Sequence, residues 1–137
     1  MSNLTVLENQ VLEKLLHGDD ETLAILRQQA KEATILSRQM TGVGFFTKFA
    51  VRLDAPRIEG RSTFKLGDVN GTAGNVRHGL GFLLYIEDGV ISALEGYTYD
   101  EPWPDELHDL SLTYIAGQNR DLRKLRAPWA ASSIRPE

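Results

Sequence analysis

Two apolar runs, LGFLLYI (80–86) and VISALEGYTY (90–99), flank Glu87-Asp88-Gly89. An Asp-Gly pair between such runs is the strongest short-range signal for a β-hairpin, because both residues tolerate the positive φ of a primed turn. Phe82, Leu84 and Ile86 fall on one face of the first strand, Leu83 and Tyr85 on the other. A hairpin apolar on both faces belongs in the middle of a sheet, or it buries its second face against a partner. Any fold for this chain has to be built around that element.

The rest of the chain supplies the other layers. Thr5 and Glu8 fit a capping box, and Leu7, Val11, Leu12, Leu15 and Leu16 follow at helical spacing up to Gly18. A second helix is predicted from Asp19-Asp20, which favour a helix N-terminus. Its inner stripe is Leu23, Leu26, Ala30, Ala33 and Met40, its flanking stripe Arg27, Lys31 and Arg38, and its stop Gly42. The period then changes to two. Val43, Phe45, Phe49, Val51 and Leu53 alternate with Gly44, Lys48 and Arg52, predicting a strand over 43–53 that Asp54-Ala55-Pro56 breaks. Residues 63–69 predict another strand, and Leu110, Leu112 and Tyr114 a last one. Seven of the twelve glycines fall in 67–96, implying tight turns, bulges or close backbone approach. The fold expected is α+β: two N-terminal helices packed on one face of an antiparallel sheet of about five or six strands. At 137 residues the chain is expected to form a single domain, with a polar, basic and partly irregular tail over 117–137.

Composition removes several classes of function. The chain has no cysteine, so thiol nucleophiles, zinc–thiolate sites and disulfides are excluded. A formal charge of −4 argues against nucleic acid as a partner. The longest apolar run, Gly79 to Ile86, is far short of the ~20 residues that span a bilayer, and MSNLTVLENQ has no secretory pattern. No membrane association and a cytoplasmic location are therefore expected.

TGVGFFTKF (41–49), HGLGFLLYIEDGVISALEGYTYDEPWP (78–104) and GDDETLAILRQQ (18–29) resemble segments of a family of small uncharacterised bacterial proteins. The resemblance covers about two-thirds of the chain. It implies a bacterial, cytosolic setting and carries over no catalytic residue.

Motifs for chemistry are sparse. Gly42-Val43-Gly44 and Gly79-Leu80-Gly81 lack the third glycine and the strand–helix context of a dinucleotide loop. His17, His78 and His108 show no metal-ligand spacing, and no GxSxG is present. No catalytic residue, metal site or cofactor is assigned.

Charge is more informative. Residues 78–119 hold eight acids and no Lys or Arg, while 120–137 hold five basic and two acidic residues. An acidic stretch dotted with aromatics suits a basic protein partner, by steering and by aromatic anchoring. Tyr99, Asp100, Glu101, Trp103, Asp105 and Glu106 are the candidate interaction surface; a solvated edge balanced by the basic tail is the plainer alternative. Glu95 breaks the pattern of its strand, sharing a face with Ile91, Ala93 and Tyr97. A two-residue turn sets it opposite Phe82, a bulged three-residue turn opposite Gly81. A buried carboxylate must be paired, hydrogen-bonded or protonated, and Arg38 or Arg77 could pair with it. Two functions follow. The first is a non-enzymatic interaction protein, homodimeric or partner-binding, of the immunity type for instance. The second is a small-molecule-binding or catalytic domain with a pocket around Glu95 and Tyr97, in which His78 and Arg38 would join as ligand-binding residues.

Overall fold

The computed structural model describes residues 4–60 and 62–125. Helix α1 spans Val6–Leu15 and α2 Glu21–Glu32. Seven strands follow: β1 Thr34–Met40, β2 Gly44–Ala50, β3 Phe64–Leu66, β4 Val69–Thr72, β5 Leu80–Glu87, β6 Val90–Thr98 and β7 Ser111–Tyr114. They form one antiparallel sheet in the order β1-β2-β6-β5-β4-β7, with β3 also pairing β5. The expected α+β architecture is present, and the β5–β6 hairpin lies at its centre.

The helices begin where capping chemistry places them. Thr5 and Glu8 form the reciprocal capping box of α1, and Asp20 accepts from the Leu23 N–H to cap α2. Val11, Leu12, Leu15, Leu16, Leu23 and Leu26 point into one core with Leu66, Leu80, Phe82, Leu84, Ile86, Ile91 and Leu94 of the sheet. Each such side chain fully buried contributes roughly 1.5–3 kcal/mol. Gln29 is a buried polar member of this interface. It is fully buried, donates to the Pro56 and Gly89 carbonyls at 2.9 and 3.0 Å, and accepts from the Ile91 N–H at 2.9 Å. Both ends of this buried amide are thus partnered where α2 meets the hairpin.

Three boundaries differ from the sequence reading. The second helix stops at Glu32, and 34–40 is an edge strand. Ala33 and Met40 fit a helical stripe by spacing alone. The competing signals are β-branched Thr34-Ile35 and the ladder that β2 offers, with Leu36 as the extra residue of a bulge. The predicted strand 43–53 is trimmed to Gly44–Ala50. The predicted strand 63–69 is split into β3 and β4 at Gly67-Asp68.

The hairpin turn is the two-residue primed kind: Asp88 and Gly89 have φ of 55° and 82°. The register then shifts. Ile86 faces Ile91 but Tyr85 faces Ala93, so Ser92 is a bulge. Side-chain parity inverts beyond it. Glu95 consequently opposes Leu83, not Phe82 or Gly81, and does not share the buried face of Ile91. Ile91 and Leu94 face the helices. Ala93, Glu95 and Tyr97 face the other side with Tyr85 and Leu83. Residues 122–125 make a helical turn; the expected irregular tail beyond 125 lies outside the described residues.

Candidate functional site

The bulge at Ser92 creates the chemistry of the outer sheet face. Glu95 and Tyr97 stand there beside Phe46 and Gly44 of β2 and Leu83 and Gly81 of β5. Glu95 is half-buried, and the Tyr85 hydroxyl donates to its Oε1 at 2.6 Å. That hydrogen bond, with burial and the Glu95 charge, pushes the Tyr85 phenol up to about 12. Phe46 packs against Tyr85 with ring centroids 5.7 Å apart, and the Lys65 ammonium lies 5.5 Å from the same ring. The carboxylate is therefore partnered by a phenol, not by Arg38 or Arg77.

Tyr97 lies across the neighbouring strand β5. A Cβ at Gly81 would come within 2.4 Å of its Cζ, so the ring position depends on that glycine. Burial, then the Tyr99 hydrogen bond and the Tyr99 and Glu95 charges, pushes the Tyr97 phenol up to about 12. The Tyr99 ring meets Tyr97 edge-on at 5.4 Å and is 42% exposed. The pair extends the aromatic face to the end of the sheet, where the segment 100–109 begins.

That segment is built as a fixed platform. Glu101 accepts from the Arg77 and His78 N–H groups at 3.1 and 2.8 Å, and the Thr98 hydroxyl donates to its carbonyl. The His78 and Arg77 amides hold the Glu101 carboxyl below its ordinary value. Trp103 packs edge-on against Phe45 at 5.4 Å, and its backbone N–H donates to the Gly42 carbonyl. Asp100, Asp105, Glu106 and Asp109 are exposed and form no ion pair with a described residue. Of the expected interaction surface, Tyr99, Asp100, Asp105 and Glu106 present themselves to solvent, while Glu101 and Trp103 anchor the segment.

The four expected ligand-binding residues do not converge. Glu95 and Tyr97 share the outer face. His78 is exposed in the loop before β5, with its backbone on Glu101. Arg38 reaches the helix side, where Nε and Nη2 bind both oxygens of Glu8 at 2.8 and 2.6 Å. Glu8 also accepts from Thr47 Oγ1 at 2.6 Å. Burial alone would raise the Glu8 carboxyl, but the bonds from Arg38, Thr47 and Thr5 outweigh it and hold it below the ordinary value. This cluster clamps α1 to β1 and β2. Sequence reasoning finds the Thr5–Glu8 box but not the second role of Glu8, because spacing alone places Arg38 on a helix. Clefts of about 670 and 610 Å³ lie along the helices, and neither is lined by Glu95 or Tyr97. Among the described residues no three His, Asp or Glu side chains gather to hold a metal. Compared with protein-family models, curated proteins and solved structures, the chain matches none.

Proposed function

We propose that this chain is a non-enzymatic interaction module whose partner is a basic protein. The observation that carries the reading is the exposed Tyr99 ring, braced on Tyr97, at the root of a segment with four exposed carboxylates outside any ion pair with the described residues. Aromatic rings held rigidly at low entropic cost are the usual anchors of an interface, and like-signed charges around them steer an oppositely charged partner. The backbone clamp of Glu101 and the Phe45–Trp103 contact keep the segment in place, so little ordering is needed on binding. Glu95 and the rings of Phe46, Tyr85 and Tyr97 continue the contact surface along the sheet face opposite α1 and α2.

Fluorescence anisotropy with a labelled octa-lysine peptide tests this. Binding should weaken steeply from low to physiological salt, because exposed charges are screened over ~8–10 Å. Asp105→Lys combined with Glu106→Lys should reduce affinity at least tenfold. Tyr99→Ala, which leaves the charge unchanged, should reduce it severalfold. Unchanged binding in both variants refutes the assignment.

A further inference from the structure

The two edges of the sheet are treated differently. β7 is four residues long, and the chain after it turns back in a bridge between Tyr114 and Gly117. β1 is seven residues long, and among the described residues no strand pairs its outer side. Proteins usually guard such an edge with lysine, proline or inward charges. In Thr34–Met40 there is no proline or lysine, and the single charge, Arg38, is drawn onto Glu8. The bulge at Leu36 is the only such device among these residues, and it leaves 37–40 regular. Leu36 and Met40 are 65% and 61% exposed.

The hydrogen-bond parity of β1 can be read from its turn. The Thr41 N–H donates to the Gly44 carbonyl. Antiparallel pairs alternate, so Gln39 and Ser37 bond to β2, while the N–H and C=O of Arg38 and Met40 point away from it. We infer that β1 pairs antiparallel with β1 of a second copy of this chain, about a two-fold axis at Arg38. That register uses the outward groups of Arg38 and Met40. It places Leu36 of each copy opposite Met40 of the other, so the two most exposed apolar residues of the strand cover one another. It also places Ser37 opposite Gln39. The two Arg38 guanidiniums flank the axis, each already neutralised by its own Glu8. Beside Met40 lies a cleft of about 140 Å³, lined by Leu7, Phe45 and Trp103 among others, against which the incoming Leu36 would rest. Neither the acidic segment nor the outer face takes part in this pairing.

Strand pairing buries less than the ~1,200–2,000 Å² of a standard interface, so the dimer should form by mass action as concentration rises. Sedimentation equilibrium from micromolar to sub-millimolar protein should show a shift from 15.3 kDa toward twice that mass. Leu36→Lys and Met40→Lys should each hold the chain at 15.3 kDa with unchanged melting, since both side chains are exposed. Tyr99→Ala should dimerise like the parent. The chain has no cysteine, so register can be read directly. Opposed residues of a non-hydrogen-bonded pair have Cα atoms ~4.5 Å apart, within disulfide reach. Ser37→Cys combined with Gln39→Cys should give a covalent dimer on mild oxidation. A monomer at every concentration overturns the inference, as does a dimer that survives both lysine variants or fails to cross-link.

Discussion

Replacing Glu8 with alanine removes the one carboxylate that ties α1 to β1 and β2. The side chain is 2% exposed and accepts from the Thr5 N–H at 2.9 Å, from Arg38 at 2.8 and 2.6 Å and from Thr47 at 2.6 Å. Breaking a buried ion pair from one side costs ~3–5 kcal/mol, most of it from the charge left behind. Here that charge is Arg38, whose side chain is 32% exposed and regains water, so this part falls to roughly 2 kcal/mol. The buried Thr47 hydroxyl loses its acceptor, and the capping box is halved, for about 1 kcal/mol each. The expected loss is therefore ~4 kcal/mol, or a fall in melting temperature of roughly 10–20 °C for a chain of this size. Thermal melts followed by circular dichroism measure it. The pH dependence gives a second check. The folded carboxyl lies below its ordinary 4.5, so its contribution is complete above that value and is lost as pH falls through the folded pKa. The gap between the parent chain and Glu8→Gln should hold from neutral pH down to about 5 and close under more acid conditions. A Glu8→Ala midpoint within a degree of the parent, or a gap that does not close in acid, would refute the reasoning.

Gly81→Ala should lower stability by ~1–3 kcal/mol, because its Cβ would meet the Tyr97 ring at 2.4 Å; the shift in Tyr97 should also appear in near-ultraviolet dichroism. Tyr85→Phe removes the donor to Glu95 and should cost about 1 kcal/mol at neutral pH in a denaturant titration. With the folded phenol up at about 12 against an ordinary 10, the contribution of Tyr85 is whole below pH 10 and fades toward 12. The spectrophotometric phenol titration of the variant should lose one of its late-ionising groups.

Much of this fold is legible in the sequence because local chemistry and global pairing agree. The Asp88-Gly89 turn, the Thr5–Glu8 box and the apolar stripe from Val11 to Leu16 each act within a few residues, and each appears where spacing puts it. Spacing misleads where one residue changes the parity of everything after it. The bulge at Ser92 leaves no composition signal, since Ser is ordinary in a strand, yet it moves Glu95 from the buried face to the outer one. Arg38 is misplaced for the opposite reason. Its neighbours satisfy a helical stripe, and only the ladder with β2 and the distant Glu8 decide between helix and strand. At the candidate site, the acidic segment and Tyr99 are visible as charge and aromatic content. The clamps that fix them, Glu101 on two amides and Trp103 on Phe45, join residues 23 or more apart in sequence and have no local signature.

Gln29 also bears on the order of assembly. Its single amide joins α2 to a carbonyl 27 residues on and to the hairpin 60 and 62 residues on. The hairpin closes across two residues, whereas the Gln29 amide gains its buried partners only after a long loop has closed. These bonds are therefore expected to form late in folding, and the hairpin cannot open at Gly89 and Ile91 without breaking them. Hydrogen exchange at the Ile91 amide should therefore report the opening of α2 as much as that of the strand that carries it.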